Sequence, residues 1–256
     1  MFGHTKKQDP DGPPPYAGDL KPTAGPSTML GTVYACVHLA RTDRVRILGF
    51  PQSVRSPLGV TIKNAWPVGI QKEEVMGNGY EWKLVGNPWS GQGREAVPSR
   101  RLITHILTTL ANIGYHLIIA ADLSKKMYDK DTLFFRSGPS IQRRFFAMSF
   151  NESDKIRLID SPDRETLDAF IGVVQSYWPL GIQDSKEKEE SCWQIKLRGT
   201  PWWTSNGNQV DAVRLLACSL LAMFDSRGYE VVASVDLSVG NSEGSSEMNV
   251  AICTLK

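Results

Sequence analysis

Apolar residues recur every three to four positions between residues 97 and 113. Leu102, Ile103, Ile106, Leu107 and Leu110 share one face, and Gly114 stands where such a helix would stop. The pattern returns over residues 213–224, with Leu216, Leu220, Leu221 and Phe224 as the expected buried side and Gly228 just beyond. Two further helices are expected. One starts at Pro51 and ends near Trp66-Pro67; the other opens at Ser161-Pro162 and carries the stripe Leu167, Phe170, Ile171 and Val174. Between the helices lie short runs rich in β-branched and aromatic residues, the composition of strands. These are residues 33–39, 44–50, 80–85, 115–123 and 132–136, then 144–150, 156–159, 193–197, 229–237 and 248–255.

The pattern is written twice. Asp43-Arg44-Val45-Arg46 matches Asp154-Lys155-Ile156-Arg157, and Trp66-Pro67-Val68-Gly69-Ile70-Gln71 matches Trp178-Pro179-Leu180-Gly181-Ile182-Gln183. Lys83-Leu84-Val85-Gly86-Asn87-Pro88-Trp89 matches Lys196-Leu197-Arg198-Gly199-Thr200-Pro201-Trp202. Gly114-Tyr115 and Asp122-Leu123-Ser124 match Gly228-Tyr229 and Asp236-Leu237-Ser238. Ordered matches at a nearly constant offset mean internal repetition. Each unit reads strand, strand, helix, strand, helix, strand, strand, an α/β or α+β layer of roughly 100 residues. The expected organisation is a disordered tail over residues 1–30, repeat unit 1 over 31–140 and repeat unit 2 over 141–256. The two units are expected to pack with approximate two-fold symmetry. Pro57 and Gly59, where unit 2 has Ala169 and Ile171, predict a shorter or kinked helix in unit 1.

The tail is rich in Pro, Gly, Asp and Lys and cannot bury enough surface to fold. It carries Pro13-Pro14-Pro15-Tyr16. Three prolines favour a polyproline II helix that docks with little loss of entropy. The stretch resembles the Pro-Pro-x-Tyr ligand of WW domains, with Pro13 and Pro14 as core prolines, Pro15 in the free position and Tyr16 filling its own pocket. That resemblance implies WW-domain partners of the ubiquitin-ligase type; the same motif serves as a late domain in matrix proteins of enveloped viruses. The repeated Trp-Pro-x-Gly-Ile-Gln and Lys-Leu-x-Gly-x-Pro-Trp boxes behind such a tail resemble duplicated-domain eukaryotic proteins, largely fungal, of uncharacterised function.

Composition narrows the choice. A net charge of +2 on 256 residues gives no basic field for nucleic acid. The duplicated Trp-Pro pairs at element ends suit clamping of layers better than stacking on bases. Cys36, Cys192, Cys218 and Cys253 show no metal spacing, and Cys218 and Cys253 read as small core residues in a reducing, cytoplasmic setting. No apolar run reaches the length of a membrane span, no secretory signal is visible, and Phe2 follows the initiator Met, where myristoylation needs Gly. Membrane contact would therefore be peripheral. His4, His38, His105 and His116 lack partners at metal spacing, and no nucleophile, P-loop or Rossmann fingerprint occurs, so no cofactor or metal and no enzymatic activity is expected.

Three readings follow. The leading one is a non-enzymatic adaptor or scaffold: the tail recruits a WW-domain protein, and the duplicated body self-associates or holds a partner. A second is a viral matrix-like protein coating an anionic membrane face. A third places a ligand or catalytic site between the units near Asp122 and Asp236, whose sequence context otherwise assigns them to turns. Arg100-Arg101, Lys125-Lys126 and Arg143-Arg144 are local basic spots that would contact acidic protein or anionic lipid if the fold brought them to one face.

Overall fold

The computed structural model describes residues 28–29, 31–90, 93–123, 130–237 and 249–256. Pro13 to Tyr16, Lys125-Lys126 and the hairpin segment 239–246 lie outside the described residues. Unit 1 runs β1 (Thr28–Met29), β2 (Thr32–Ala40), β3 (Arg44–Leu48), α1 (Arg55–Ala65), β4 (Ile70–Met76), β5 (Gly79–Leu84), α2 (Ala96–Asn112), β6 (Tyr115–Ala121) and β7 (Thr132–Ser137). Unit 2 repeats it as β8 (Phe145–Asn151), β9 (Lys155–Ile159), α3 (Arg164–Tyr177), β10 (Ile182–Glu189), β11 (Cys192–Leu197), α4 (Gly207–Ser226), β12 (Tyr229–Asp236) and β13 (Asn249–Leu255). The strand orders are β4-β5-β3-β2-β7-β6 and β10-β11-β9-β8-β13-β12, with every pair antiparallel. β1 adds to the start of β2. The fold is therefore α+β: two repeated six-stranded antiparallel sheets, each with a helix pair.

Each unit has an edge strand that the hydrophobic pattern did not give, and unit 1 adds the two-residue β1. β4 (Ile-Gln-Lys-Glu-Glu-Val-Met) and β10 (Ile-Gln-Asp-Ser-Lys-Glu-Lys-Glu) are largely polar edge strands. Charge on an edge blocks pairing with another chain, and it also erases the alternation that marks a strand. Both opposite edges, β6 and β12, carry a bulge at the same place, between Leu117 and Ile119 and between Val231 and Ala233. Bulges blunt edges in the same way.

The repeated boxes are clamps. Trp66 lies at the end of α1, fully buried, and its indole N–H donates to the Val85 carbonyl at 2.9 Å; Trp178 at the end of α3 donates to the Arg198 carbonyl at 3.0 Å. Trp89 donates to the Arg44 carbonyl at 2.8 Å, and Trp202 to Lys155 at 3.2 Å. Each ring thus ties the loop after a helix or strand to a neighbouring strand, and its apolar body fills the gap between them. The turn after each Trp-Pro needs a left-handed residue, met by Gly69 (φ 99°) and Gly181 (φ 78°). α1 is shorter than α3 (11 against 14 residues). Pro57 sits in its first turn, where the missing N–H costs nothing.

The join between units departs from two-fold pairing. The helix pair α1/α2 covers one face of its own sheet, and the sheet of unit 2 lies against the other side of α2, with β12 beside β6. A single apolar core holds Leu102, Ile106 and Leu110 of α2, Val37 and Phe135 of sheet 1, and Phe145, Ala147, Ile159, Val250 and Ile252 of sheet 2. A second core joins the opposite face of sheet 2 to α3 and α4 through Phe146, Met148, Leu158, Phe170, Leu216 and Phe224. β8 is consequently buried on both faces. The layers run sheet, helices, sheet, helices, so the units stack front to back.

Two sequence expectations fail on α4. Leu221 is 44% exposed and Cys218 is exposed, because none of the described residues covers the outer side of α4 there. Cys253 is buried as expected, which pushes its thiol up to about 12.

Trp66→Ala is expected to cost about 3–5 kcal/mol in urea unfolding, and Trp66→Phe less, since the ring's packing is largely retained. A cost under about 1 kcal/mol for the alanine variant would remove the clamp from the account of the repeated boxes.

Candidate interface groove between the repeats

Stacking the units leaves an open groove where the exposed ends of α1 and α2 meet the rim of sheet 2. Its volume is about 720 Å³. Unit 1 supplies Asn64, Arg101, His105 and Asn112; unit 2 supplies Arg143, Arg144, Asp160 and Glu190. Two of the basic spots seen in the sequence therefore share one face, through Arg101 and Arg143-Arg144. Arg100 does not join them. It faces inward, fully buried, and bonds through its guanidinium to the Ala96 carbonyl one turn back. Burial, with Arg157 nearby, pushes Arg100 down to about 10.

The groove floor is held by one cross-unit pair. Arg101 Nε donates to both carboxylate oxygens of Asp160 at 2.9 and 3.1 Å, and its Nη2 donates to the Glu190 carbonyl at 2.7 Å. Asp160 adopts φ 57°, a left-handed conformation that side chains seldom take and Asp tolerates better than most. The matching position in unit 1 is Gly49 (φ 78°), where a Cβ would sit 2.8 Å from the Tyr34 carbonyl. Unit 2 has room for a side chain there and uses it to reach Arg101. No periodicity signals this pair. The signal is divergence: Gly49 against Asp160, and Arg101 against Leu215, at positions where the repeats otherwise agree.

His105 lies 3.9 Å from the Asp160 carboxylate. Burial lowers its pKa below the usual imidazole value, and Arg101 and Arg144 add to this against the pull of Asp160. The walls carry hydroxyls, amides and guanidinium groups. Thr61 and Thr109 bond to each other at 2.6 Å across α1 and α2, and Arg143 approaches Glu230 at 3.7 Å. Asn112 Oδ1 is buried without a hydrogen-bond partner among the described residues. Such a surface can bind an extended anionic segment: guanidinium forks grip carboxylates, and a buried acceptor awaits a donor.

Asp122 and Asp236 meet elsewhere, at the edge where β6 and β12 adjoin. The Asp236 backbone N–H donates to Asp131 Oδ2 at 2.8 Å, and its carboxylate lies 3.6 Å from Lys130 Nζ. Burial raises the pKa of Asp131; the Asp236 N–H opposes this, the Asp236 and Asp122 carboxylates add to it, and Lys130 opposes it. This is a charged latch between the units, with Lys130 and Asp131 nearly buried. Among the described residues no group of His, Cys, Asp and Glu could hold a metal ion, and no helix is long and apolar enough to cross a membrane. Trp66, Trp89 and Trp178 are fully or almost fully buried and unavailable to bases; Trp203 is exposed.

The Arg101–Asp160 pair is expected to show a coupling energy of about 1–2 kcal/mol in an alanine double-mutant cycle on unfolding; coupling near zero would make the pair incidental. Because the His105 pKa is lowered in the fold, the unfolded chain takes up the proton first as pH falls through about 6.5. The neutral ring's contribution is full above that pH and is lost below it. Stability of the wild type should therefore fall more steeply between pH 7 and 5 than that of His105→Gln; parallel curves would contradict this.

Among solved structures, a conserved kinetoplastid-specific protein from Trypanosoma cruzi aligns at 14% identity and TM-score 0.28, over 44% of this chain and 94% of that one. No curated protein matches the sequence. One domain family of uncharacterised function matches twice, over residues 33–136 and 144–254. The chain belongs to that domain family and carries its domain in duplicate.

Proposed function

We propose that this protein is a non-enzymatic adaptor whose inter-repeat groove binds an acidic peptide segment of a partner protein, while Pro13, Pro14, Pro15 and Tyr16 recruit a WW domain. The observation carrying the first half is the placement of Arg101, Arg143 and Arg144, drawn from both units, around one open groove. Arg101 is committed to Asp160; Arg144 is exposed and Arg143 half-buried at the opposite rim. Asn112 Oδ1 adds an acceptor that a backbone N–H of a peptide would satisfy. Carboxylates of the peptide would pair with the arginines, with affinity falling as salt rises. Linking two weak modules in one chain raises the avidity for a partner complex that offers both ligands.

The test is a fluorescence-anisotropy titration of the full chain with a labelled ten-residue Asp/Glu peptide. The expected result is micromolar binding that weakens at least tenfold in Arg143→Ser/Arg144→Ser and at 0.5 M salt. In parallel, the 1–30 peptide is expected to bind a WW domain and to lose that binding in Tyr16→Ala. Flotation of the chain with phosphatidylserine vesicles and no peptide binding would replace this reading with the matrix-like one. Binding to neither would leave the groove without an anionic ligand and overturn the first half.

A further inference from the structure

Among the described residues, stacking the units back to front leaves two faces uncovered, and each is the repeat counterpart of a buried face. On α2, eleven of 17 residues are buried; on α4, only four of 20 are. The difference is the missing layer, since Leu102, Ile106 and Leu110 of α2 correspond to the equally buried Leu216, Leu220 and Phe224 of α4. What α2 turns toward sheet 2, α4 turns toward solvent. At three positions the solvent-facing version is nonetheless the more apolar, although Ile103 and Ala111 correspond to Ala217 and Asp225. Arg101, Thr104 and Thr108 correspond to Leu215, Cys218 and Ala222. Leu215 is 62% exposed, and Tyr177 at the end of α3 is 52% exposed. A helix that is apolar all round is a buried helix, and a contiguous apolar patch of this kind marks an interaction surface.

The other open face is the outer side of sheet 1. In sheet 2 the row Ile159–Ala147–Ile252–Ala233 crosses four strands in register and packs against α2. The matching row in sheet 1 is Leu48–Cys36–Phe134–Ile119, again in register across β3, β2, β7 and β6. Its surroundings repeat too. Phe145 and Leu237 are buried in the core shared with unit 1, whereas their counterparts Tyr34 and Leu123 are 49% and 71% exposed.

We infer that a second copy of this chain covers both faces: sheet 1 of one copy packs on α3/α4 of the next, repeating the packing of sheet 2 on α1/α2. The polar centre of the interface fits the same operation. Within the chain, Arg100 meets Arg157, which is held by Gln194 Oε1 at 2.9 Å. Between copies, Arg214 replaces Arg100 and bonds to its own Val210 carbonyl in the same way. It would face Arg46, which is held by Glu81 Oε2 at 2.7 Å. The neutral Gln194 becomes the carboxylate of Glu81, which already binds both Arg44 and Arg46, so the incoming arginine would join an existing ion-pair cluster, while Glu152 beside Arg157 becomes Arg41. The contact is heterologous, joining unlike faces, and so builds rings or chains rather than closed two-fold dimers.

Sedimentation velocity of the full chain from 1 to 200 µM tests this, with Leu215→Lys and Ile119→Lys as variants. Both positions are exposed, so both variants should fold, which far-UV circular dichroism and melting check. The wild type is expected to form concentration-dependent oligomers, and each variant alone to sediment as a monomer. An equimolar mixture of the two should give a 1:1 dimer, because each retains the face the other lacks. A monomeric wild type at 200 µM would overturn the inference and give these faces to other occupants. Oligomers unaffected by either lysine, or variants that fail to complement each other, would also overturn it, the latter in favour of a two-fold contact.

Discussion

Everything in this molecule depends on α2 being buried from two sides. A helix that covers one sheet needs one apolar stripe, but α2 is gripped by its own sheet on one side and by the sheet of unit 2 on the other. It therefore buries Ser99, Arg100 and Thr104 as well as Leu102, Ile106 and Leu110. Those polar groups find partners along the helix itself: Ser99 and Arg100 return to the Ala96 carbonyl, and Thr104 to Arg101. Bonding them locally lowers the cost of burying a polar helix face. It also lets a single core run through three layers, so the two repeats do not form separate domains joined by a linker.

The same constraint creates the groove and the latch. Two stacked layers of unequal outline leave a gap at one rim, where Arg101 crosses to Asp160, and an abutment at the other, where β6 meets β12 and Lys130 approaches Asp236. Both cross-unit contacts are ionic and sit at the margin of an apolar interface, where charge fixes register better than it adds stability. Asp122 and Asp236 are thus brought to one edge by the stacking. Their neighbours, a lysine and a third carboxylate, make them part of the join between the repeats.

A duplicated unit that stacks front to back has an unavoidable asymmetry: the first sheet and the last helix pair each lack the neighbour that their counterparts have. Terminal units of stacked arrays are ordinarily capped by polar substitution. Here the reverse holds, with Leu215 where α2 has Arg101 and Ala222 where it has Thr108. The repeats diverged at their contact faces, toward apolar residues at Leu215, Cys218 and Ala222 and toward a carboxylate at Asp225.

The sequence was enough to establish the duplication, the α+β composition, the four helices and most strands, because these rest on local periodicity and on residues such as Trp66, Gly69, Trp178 and Gly181 that fill the same local role twice. Pairing the repeats also pointed, through Pro57 and Gly59, to a shorter first helix, but its start at Arg55 rather than Pro51 came only from the structure. β4 and β10 were illegible because edge protection replaces alternation with charge. The fate of Leu221 and Cys218 was illegible for a different reason. Helical spacing says which residues share a face, but only the stacking of whole layers decides whether that face is covered. Repeat symmetry alone suggested a two-fold pairing of the units. The tertiary structure chose front-to-back stacking instead, since α2 can bury both its sides at once only when the second sheet presents its outer face.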